Sequence, residues 1–458
     1  MIVKTDLNIK NDLNDIARLF ETDGTITVNC HTDKEKLYTE LDFKGVLYKF
    51  DDKIITSDNL IYKRLFKRYA KKHLYDVLKS DANAILPWGS LTGIRPVKLY
   101  GQTMEESGNN AEEYFKDFYD VSQGKIELVK EIYNTQNKVN SFNYKAGLYI
   151  GIPFCKGRCS YCSFFSADIE KNNNLILPYV NALIEEIKCV LDLLKQNKLE
   201  ISSIYVGGGT PSSLPIELLE NILKLVKDIP VKEFTVEAGR PDSINKELLN
   251  VLKANNVTRI SINPQTVNDN TLKIIGRRHT FEDFINAFEI AKNYNFIINT
   301  DIIAGLPQEE YSDFVKTVDS VIKFKPQNIT VHTLALKQGA NLKIAGYRHG
   351  DNVNLMLDYA AKKLHNFGYG AYYMYRQKNT AGNLENTGFS LEGYECLYNI
   401  DNMSDKADIF ACGADAVSKQ VFSKGRIERQ GNPKDILTYC NNIDKIKNNK
   451  INFITDKR

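Results

Sequence analysis

Two hydrophobic patterns alternate through the middle of the chain, short apolar runs and longer amphipathic stretches. Stretches such as 176–195 repeat apolar residues at three and four positions, which is the period of a helix with one buried face. The short runs have the length and the β-branched content of buried strands. We predict strands at 148–152, 203–206, 233–237, 259–262, 296–303 and 328–335, with helices between them at 176–195, 215–227, 244–255, 281–293 and 309–323.

Strands that alternate with helices predict a parallel sheet with right-handed crossover connections. Six such units are too few to close an eight-stranded barrel. We therefore predict an α/β fold, a partial (β/α)6 barrel, over residues 141–340. Sites in such sheets lie at the carboxyl ends of the strands, and we call this edge the rim.

The two flanking regions lack this alternation. Residues 1–140 predict an N-terminal α+β domain of unknown role. It contains half-buried strands at 25–29 and 36–43, a hairpin of 46–50 and 53–55 around Asp51-Asp52, and helical stretches at 60–78 and 111–138. The 60–78 helix is strongly basic, and we favour a solvated helix face over a docking surface for a partner. Residues 341–458 predict a C-terminal α/β extension that caps the barrel, with a helix at 356–367, a tyrosine-rich segment at 369–376 and a polar loop at 378–386.

Composition narrows the class of protein only a little. The chain has 458 residues, 43% hydrophobic and 26% charged, as in ordinary globular proteins, and its net charge of +3 gives no nucleic-acid footprint. The first ten residues carry charges without an apolar core, and no apolar stretch approaches the ~20 residues of a membrane span. Five of the eight cysteines are scattered singly, which fits a reducing compartment. We predict a cytoplasmic protein without a membrane span or a nucleic-acid partner.

The remaining cysteines, Cys155, Cys159 and Cys162, have the spacing C-x3-C-x2-C directly after the first predicted strand of the barrel. Three thiolates in one loop can hold three irons of a 4Fe–4S cluster and leave the fourth iron open to a small molecule. A zinc site normally needs a fourth Cys or His at similar spacing, and the closest downstream histidine is His279. We therefore predict that the three cysteines are metal ligands of an iron–sulfur cluster.

Other polar and glycine residues follow the later strands, so we expect them at the same rim. They are Gly207-Gly-Gly-Thr-Pro211, Glu237, Gln265 and Asp301. A glycine triplet allows a ligand to approach the backbone closely, although a tight strand-to-helix turn explains it equally when it stands alone. Glu237 is either a ligand contact or a surface carboxylate. Asp301 is costly to bury without a polar partner. Arg277 and Arg278 suit a carboxylate ligand or form an exposed pair.

Taken together, these motifs resemble the oxygen-independent coproporphyrinogen III oxidase family of radical S-adenosylmethionine (SAM) enzymes, over about residues 144–420. Further stretches resemble its HemZ-type coproporphyrinogen dehydrogenase branch. They are Leu91-Thr-Gly-Ile-Arg-Pro96, Val236-Glu-Ala-Gly-Arg-Pro-Asp242, Val331-His-Thr-Leu-Ala335 and 375–386.

The resemblance implies a role for each matching position. Cys155, Cys159 and Cys162 would bind the 4Fe–4S cluster. Tyr149, Gly208 and Glu237 would contact the cluster-bound SAM, with Tyr149 and Glu237 as the catalytic residues. A second set matches positions that line a second SAM site in relatives: Tyr161, Gly209, Thr210, Gln265, Arg277 and Asp301.

The implied reaction is reductive cleavage of SAM, followed by hydrogen abstraction from a propionate side chain. Loss of carbon dioxide and an electron then leaves a vinyl group. Two such steps would convert coproporphyrinogen III to protoporphyrinogen IX in oxygen-independent haem biosynthesis. The resemblance thus implies a tetrapyrrole substrate, with reduced flavodoxin or ferredoxin as the electron donor.

Two positions differ from the decarboxylating relatives, which have His in place of Gly151 and Cys in place of Phe164. The pattern at Phe164 is closer to a related haem-chaperone branch. Two alternatives therefore remain, a haem-binding chaperone and a radical SAM enzyme that acts on another tetrapyrrole. In a chaperone, His332 or a scattered cysteine would be an axial ligand, although we favour a hydrogen-bonded core histidine at His332.

Overall fold

The computed structural model forms two compact units, one of Met1–Lys130 with Gly382–Leu384 and one of Glu131–Ala381 with Glu385–Arg458. It describes the whole chain except residues 21, 34, 57, 94, 108–109, 140–145, 163–165, 337–351, 379, 423–425 and 456–458. The division into three domains and the capping role of residues 341–458 stay predictions.

The first unit contains a four-stranded sheet in the order β1-β2-β3-β4, with an apolar core between the sheet and helices α1 and α2. Its elements, up to the helix that leads into the second unit, are β1 Ile2–Lys4, α1 Lys10–Ala17, β2 Thr25–Asp33, β3 Lys36–Phe43, β4 Val46–Lys53, α2 Asn59–Ala82, α3 Pro96–Ser107, α4 Ala111–Asp117 and α5 Gln123–Val139.

Two predictions in this region are wrong. Strand β4 runs straight through Asp51-Asp52, and the hairpin turn lies earlier, at Lys44-Gly45, where both residues have positive φ (55° and 78°) as a tight hairpin turn requires. The helical stretch at 111–138 is two helices, interrupted where Asp120 adopts a φ of 58°.

The basic face of α2 carries its charges in pairs. Lys67 contacts Asp12 at 3.0 Å, Lys72 donates to Asp76 on the next turn, and Arg64 binds Glu106. Such exposed pairs contribute little to stability, and they are what a solvated helix face is expected to form.

The second unit is built around an eleven-stranded sheet in the order β13-β14-β12-β11-β10-β9-β8-β5-β15-β16-β17. The strands of the second unit are β5 Ala146–Ile152, β6 Phe154–Cys155, β7 Ala167–Asp168, β8 Ile201–Gly208, β9 Glu233–Val236, β10 Arg259–Ser261, β11 Ile297–Ala304, β12 Asn328–Thr333, β13 Gly370–Arg376, β14 Glu385–Ser390, β15 Ile409–Cys412, β16 Val417–Val421 and β17 Ile427–Gly431. Strands β6 and β7 pair with each other outside the eleven-stranded sheet. The helices of the second unit are α6 Asn173–Gln196, α7 Ile216–Lys224, α8 Lys246–Ala254, α9 Asp269–Ile274, α10 Phe281–Lys292, α11 Tyr311–Val321, α12 Val353–Asn366, α13 Leu397–Ser404, α14 Ile436–Asn441 and α15 Ile443–Thr455.

The predicted strand–helix alternation is confirmed as a central parallel sheet. Strands β5, β8, β9, β10, β11 and β12 pair in parallel in chain order. Fully buried aliphatic and aromatic residues from these strands and from α6, α7, α8 and α10 form one continuous core on the outer face. The carboxyl ends of the six strands therefore meet at one rim, as the sequence predicts.

The C-terminal region adds strands to both edges of this parallel sheet. Strand β15 pairs in parallel with β5, and β14 pairs antiparallel with β12. The first strand of the barrel is thus a central strand of the whole sheet. Among the described residues, none of the helices is both long enough and apolar enough to cross a membrane.

Candidate active site

The cysteine loop is fastened at its base and near its middle. Strands β6 and β7 pair in parallel, and Ile169 N donates to Cys155 O at 2.9 Å, which closes the base. Ser160 N donates to Ile275 O at 2.9 Å, which ties the loop to the end of α9. The loop is therefore held in place although it has little regular structure of its own.

None of the three thiols forms a disulfide, and all three are partly exposed. Burial raises the pKa of the Cys155 thiol, and a hydrogen bond from Thr210 Oγ1 at 3.5 Å opposes the rise. In the described residues, no three His, Cys, Asp or Glu side chains are arranged to hold a metal ion. Three cysteine thiols in one anchored loop are the donor type that an iron–sulfur cluster takes. Phe164 lies outside the described residues.

The glycine triplet allows the backbone after β8 to lie close to the cysteine loop and to Tyr149. A Cβ on Gly209 would lie 2.5 Å from Phe154 O and 3.0 Å from Cys155 Sγ. A Cβ on Gly208, whose φ is 112°, would lie 3.3 Å from Tyr149 Oη. Both positions therefore require glycine, and the triplet brings the β8 backbone directly against the cysteine loop.

Glu237 follows β9 and faces the concave side of the sheet. Tyr205 Oη donates to Glu237 Oε1 at 2.5 Å. Burial raises the pKa of Glu237 to about 7, and the hydrogen bond from Tyr205 opposes the rise. The nearby Asp301 carboxylate adds to the rise, while the Gly208 N–H and His332 oppose it. Such a carboxyl group changes its charge near neutral pH, which is common at functional sites.

The structure brings Tyr149, Gly208 and Glu237 together beside the cysteine loop. Tyr149 faces Tyr205 across the β5–β8 pair, with ring centroids 6.3 Å apart. Burial and the Glu237 charge both raise the pKa of Tyr149, so its hydroxyl stays protonated. This group combines a hydroxyl, a carboxyl and the backbone of a glycine.

The residues predicted for a second SAM site fall into two groups. In the first, Arg277 donates to Tyr161 Oη at 3.0 Å and to Gly239 O at 3.2 Å, beside the cysteine loop. The exposed neighbour of Arg277, Arg278, forms an ion pair with Glu170 instead, at 2.9 Å. Thr210 contacts Cys155 and belongs with this group.

The second group lies across the concave face. Gln265 adopts a φ of 68° and bridges to Ile302, and its N–H donates to Asp301 O at 3.1 Å. Asp301 Oδ2 accepts from Asn263 Nδ2 at 2.9 Å and lies 3.6 Å from His332 Nε2. Asp301 thus has polar partners.

His332 is not the core histidine that we favoured. Its side chain is about one quarter exposed, at 24%. Its Nδ1 lies 3.3 Å from Tyr375 Oη. His332 sits at the end of β12, where the strand opens onto the concave face, so it is hydrogen-bonded but accessible.

Gly151 is enclosed by the C-terminal region. A Cβ at this position would lie 3.3 Å from the Tyr149 ring, 3.4 Å from Cys412 O and 3.6 Å from Ala414 O. A Cβ at this position would therefore touch the Tyr149 ring tightly and the backbone at and after the end of β15 at ordinary contact distances.

Sequence reasoning missed Tyr205, Tyr398 and Asn263. Tyr205 lies two residues before the glycine triplet and opposite Tyr149 in the sheet. The pairing of the two strands could therefore have indicated that Tyr205 belongs to the site. Tyr398 stacks on Tyr205 at 4.3 Å, and nothing near it in the sequence indicates that contact.

Comparison with known proteins agrees with this geometry. Residues 149–321 match the radical SAM superfamily. The chain is 34% identical to the oxygen-independent coproporphyrinogen-III oxidase-like protein HemZ of Bacillus subtilis, over 90% of this chain and 86% of that protein. The chain belongs to the HemZ-type family of radical SAM proteins. Membership in this family implies a 4Fe–4S cluster and SAM as cofactors.

This chain is also similar to proteins named as haem chaperones. This chain is 29% identical to heme chaperone HemW of Buchnera aphidicola subsp. Schizaphis graminum, over 64% of this chain and 75% of the chaperone. Its fold matches that of coproporphyrinogen III oxidase (HemN) of Escherichia coli with a TM-score of 0.52 and 19% identity, over 69% of this chain and 73% of that enzyme. The radical SAM fold that we predict is confirmed.

Proposed function

We propose that the protein is an oxygen-independent coproporphyrinogen III dehydrogenase. It would convert two propionate side chains of coproporphyrinogen III to vinyl groups and so form protoporphyrinogen IX. The observation that carries the proposal is the grouping of Tyr149, Gly208 and Glu237 beside the cysteine loop, in a chain similar to HemZ over nine-tenths of its length. We also propose cytoplasmic location and an electron supply from reduced flavodoxin or ferredoxin.

When bound through Cys155, Cys159 and Cys162, the cluster and SAM would supply a radical that abstracts hydrogen from the substrate. The protein's own residues would bind, orient and exclude water. The open backbone at Gly208 would approach the methionine part of SAM, and the Glu237 carboxylate would accept hydrogen bonds from it. The Tyr149 ring would pack against the same ligand.

The concave face would receive the tetrapyrrole. Asp301 on β11 offers acceptors there, and His332 on β12 and Tyr375 on β13 offer donors. A reduced tetrapyrrole presents pyrrole N–H groups and carboxylates, so a mixed set of donors and acceptors suits it. Each propionate would lose one hydrogen atom, one carbon dioxide molecule and one electron, which must pass to an external acceptor.

A haem-binding chaperone is the second candidate, and one feature favours it. Position 151, where the decarboxylating relatives have histidine, is glycine here, and a Cβ on it would already lie 3.3 Å from the Tyr149 ring. The relatives named as haem chaperones are similar to this chain over 64% and 41% of its length. A chaperone would take up haem stoichiometrically without consuming SAM.

The test is anaerobic reconstitution of the cluster, followed by incubation with SAM, a strong reductant and coproporphyrinogen III. Chromatography would follow 5′-deoxyadenosine and the porphyrin products, with Cys159→Ala as the control variant. We expect protoporphyrinogen that disappears in the variant. SAM cleavage without a vinyl product would reject the dehydrogenase, and stoichiometric haem uptake in a parallel titration would then favour the chaperone.

A further inference from the structure

Tyr205 is placed to hold the Glu237 carboxylate in one orientation. Its hydroxyl donates to Glu237 Oε1 at 2.5 Å. A Cβ on Gly207 would lie 2.8 Å from Cε1 of the Tyr205 ring and 3.1 Å from Glu237 Oε2. Glycine at 207 therefore gives the tyrosine and the carboxylate the space in which they meet. A hydrogen bond to an ionised group is stronger than one between neutral groups.

The Tyr205 ring is itself fixed by a second tyrosine. Tyr398 stacks on it with ring centroids 4.3 Å apart and an interplanar angle of 22°. Tyr398 also stacks on Tyr149, at 5.9 Å. The three rings form one layer beneath Glu237, which we call the tyrosine layer. A stacked layer removes the rotational freedom that a lone tyrosine side chain would have.

Tyr398 is anchored at the first turn of α13. The backbone N–H groups of Leu397 and Tyr398 donate to the Glu233 carboxylate at 3.0 and 3.4 Å. Glu233 is buried and forms an ion pair with the buried Arg259 at 3.1 Å. A carboxylate at a helix N-terminus satisfies N–H groups that have no partner within the helix. The contacts thus continue from a buried ion pair through Tyr398 and Tyr205 to Glu237.

We propose that Tyr205, held by Tyr398, is a positioning residue that orients the Glu237 carboxylate for SAM. This inference rests on the proposed function, in which Glu237 contacts SAM. Tyr205 acts on SAM through Glu237, by fixing the carboxylate and by favouring its ionised form.

The charge of Glu237 depends on every group that faces it. These are Tyr205 and the Gly208 N–H from β8, Asp301 from β11, His332 from β12, Tyr149 from β5, Tyr375 from β13 and Tyr398 from α13. Tyr205 supplies a donor that opposes the effect of burial. Without that donor the pKa of Glu237 rises further above its ordinary value, so a smaller fraction of the carboxyl is ionised at neutral pH.

The experiment measures SAM binding rather than turnover. Isothermal titration calorimetry on the reconstituted full-length protein would compare wild type with Tyr205→Phe from about pH 6 to about pH 9. In wild type we expect affinity to fall as the pH decreases through the pKa of Glu237. In Tyr205→Phe we expect this transition at higher pH and roughly tenfold weaker binding near pH 7.

The matched control is Tyr369→Phe. Tyr369 is also buried, and its hydroxyl donates to Pro326 O at 2.6 Å, away from the tyrosine layer. We expect wild-type SAM affinity and the wild-type pH transition in this control. Tyr398→Ala should weaken SAM binding in the same direction as Tyr205→Phe, because the ring that holds Tyr205 is lost.

Two outcomes would overturn the inference. One is wild-type affinity at every pH in Tyr205→Phe. The other is a uniform loss of affinity without movement of the pH transition, which is what a general structural defect would produce. The proposed function fails separately. If wild type binds SAM but forms no vinyl product, the substrate assignment is lost and the positioning role stands. If wild type binds no SAM, both fall.

Discussion

Gly209 lies where the loops after β5 and β8 are closest. Its N–H donates to Ile152 O at 2.7 Å, and a Cβ would lie 2.5 Å from Phe154 O, closer than real Cβ atoms approach backbone. We expect Gly209→Ala to push the β8 end away from the cysteine loop and to reduce cluster binding several-fold. The measurement is the iron and sulfide content after reconstitution.

A suitable control for Gly209→Ala is Gly124→Ala, since a Cβ on Gly124 would meet nothing within 4 Å. Gly124 lies in a helix, where alanine is favoured over glycine by roughly 1 kcal/mol. We expect this variant to load the cluster as wild type does. Equal iron content in both variants would contradict a role for close backbone approach at Gly209.

Glu237 should make stability depend on pH in a characteristic direction. Its pKa in the folded protein, about 7, lies above its ordinary value of 4.5, so the folded state retains a proton that the unfolded chain releases. The free energy of unfolding therefore falls as the pH rises through this interval. In Glu237→Gln that fall is absent, and relative to wild type we expect a gain of about 3 kcal/mol between about pH 4.5 and about pH 8.

Urea unfolding of the protein without cofactors at both pH values tests this prediction. The control is Glu289→Gln, because Glu289 is an exposed partner of Lys292. A gain in the control as large as that in Glu237→Gln would mean that the effect is not specific to the buried carboxyl.

Among the elements, those that sequence predicts best are the strands and helices of the parallel sheet. Continuous apolar runs such as β11 have few alternative structures. Their predicted boundaries agree with those in the structure within a few residues. Strand β14, Glu385–Ser390, is not predicted, and its first two residues fall in the predicted polar loop at 378–386, yet all six residues are buried. Its polar side chains find distant partners, as when Asn386 accepts from Thr333 N and donates to Tyr375 O. The local sequence does not indicate which distant residues these side chains contact.

The same limit applies to the site. The cysteines and the glycine triplet follow strands directly, so their shared location follows from the parallel topology. The contact of Tyr398 with Tyr205 depends on where the chain returns after about two hundred residues, and no periodicity encodes it. The hairpin turn was misplaced because Asp51-Asp52 looks like a turn, whereas Lys44-Gly45 has the required positive φ values.

Helices α6 and α15 are joined by a buried ion pair that also fixes the loop after β15. Lys450 Nζ lies 3.5 Å from Glu186 Oε1, and both side chains are fully buried. Glu186 Oε2 accepts from Gly413 N at 2.8 Å. We expect Lys450→Met to lower the free energy of unfolding by about 3–5 kcal/mol, because it leaves a buried carboxylate without its cation.

The double variant Glu186→Gln/Lys450→Met should recover part of this loss, because an amide oxygen still accepts from Gly413 N. Urea unfolding would measure both variants. The exposed Lys292→Met, which removes an ion pair with Glu289, should cost less than about 1 kcal/mol. A similar cost for Lys450→Met would contradict the buried pair.

In the molecule as a whole, the C-terminal strands stabilise the strand that leads into the cysteine loop. Strand β5 carries Tyr149 and leads into the cysteine loop, and it pairs with β8 on one side and β15 on the other. Amide hydrogens in a strand with two neighbouring strands exchange only when much of the sheet unfolds. Those in an edge strand exchange through local unfolding. Strand β17 pairs only with β16 among the described residues.

We therefore expect peptides that cover Ala146–Ile152 to exchange amide hydrogens far more slowly than peptides that cover Ile427–Gly431. Hydrogen exchange with mass spectrometry would measure both in the wild-type protein without cofactors. Lys450→Met should accelerate exchange in β5 more than in β9, because it loosens the loop that follows β15. Fast exchange throughout β5 in wild type would mean that β15 does not pair there.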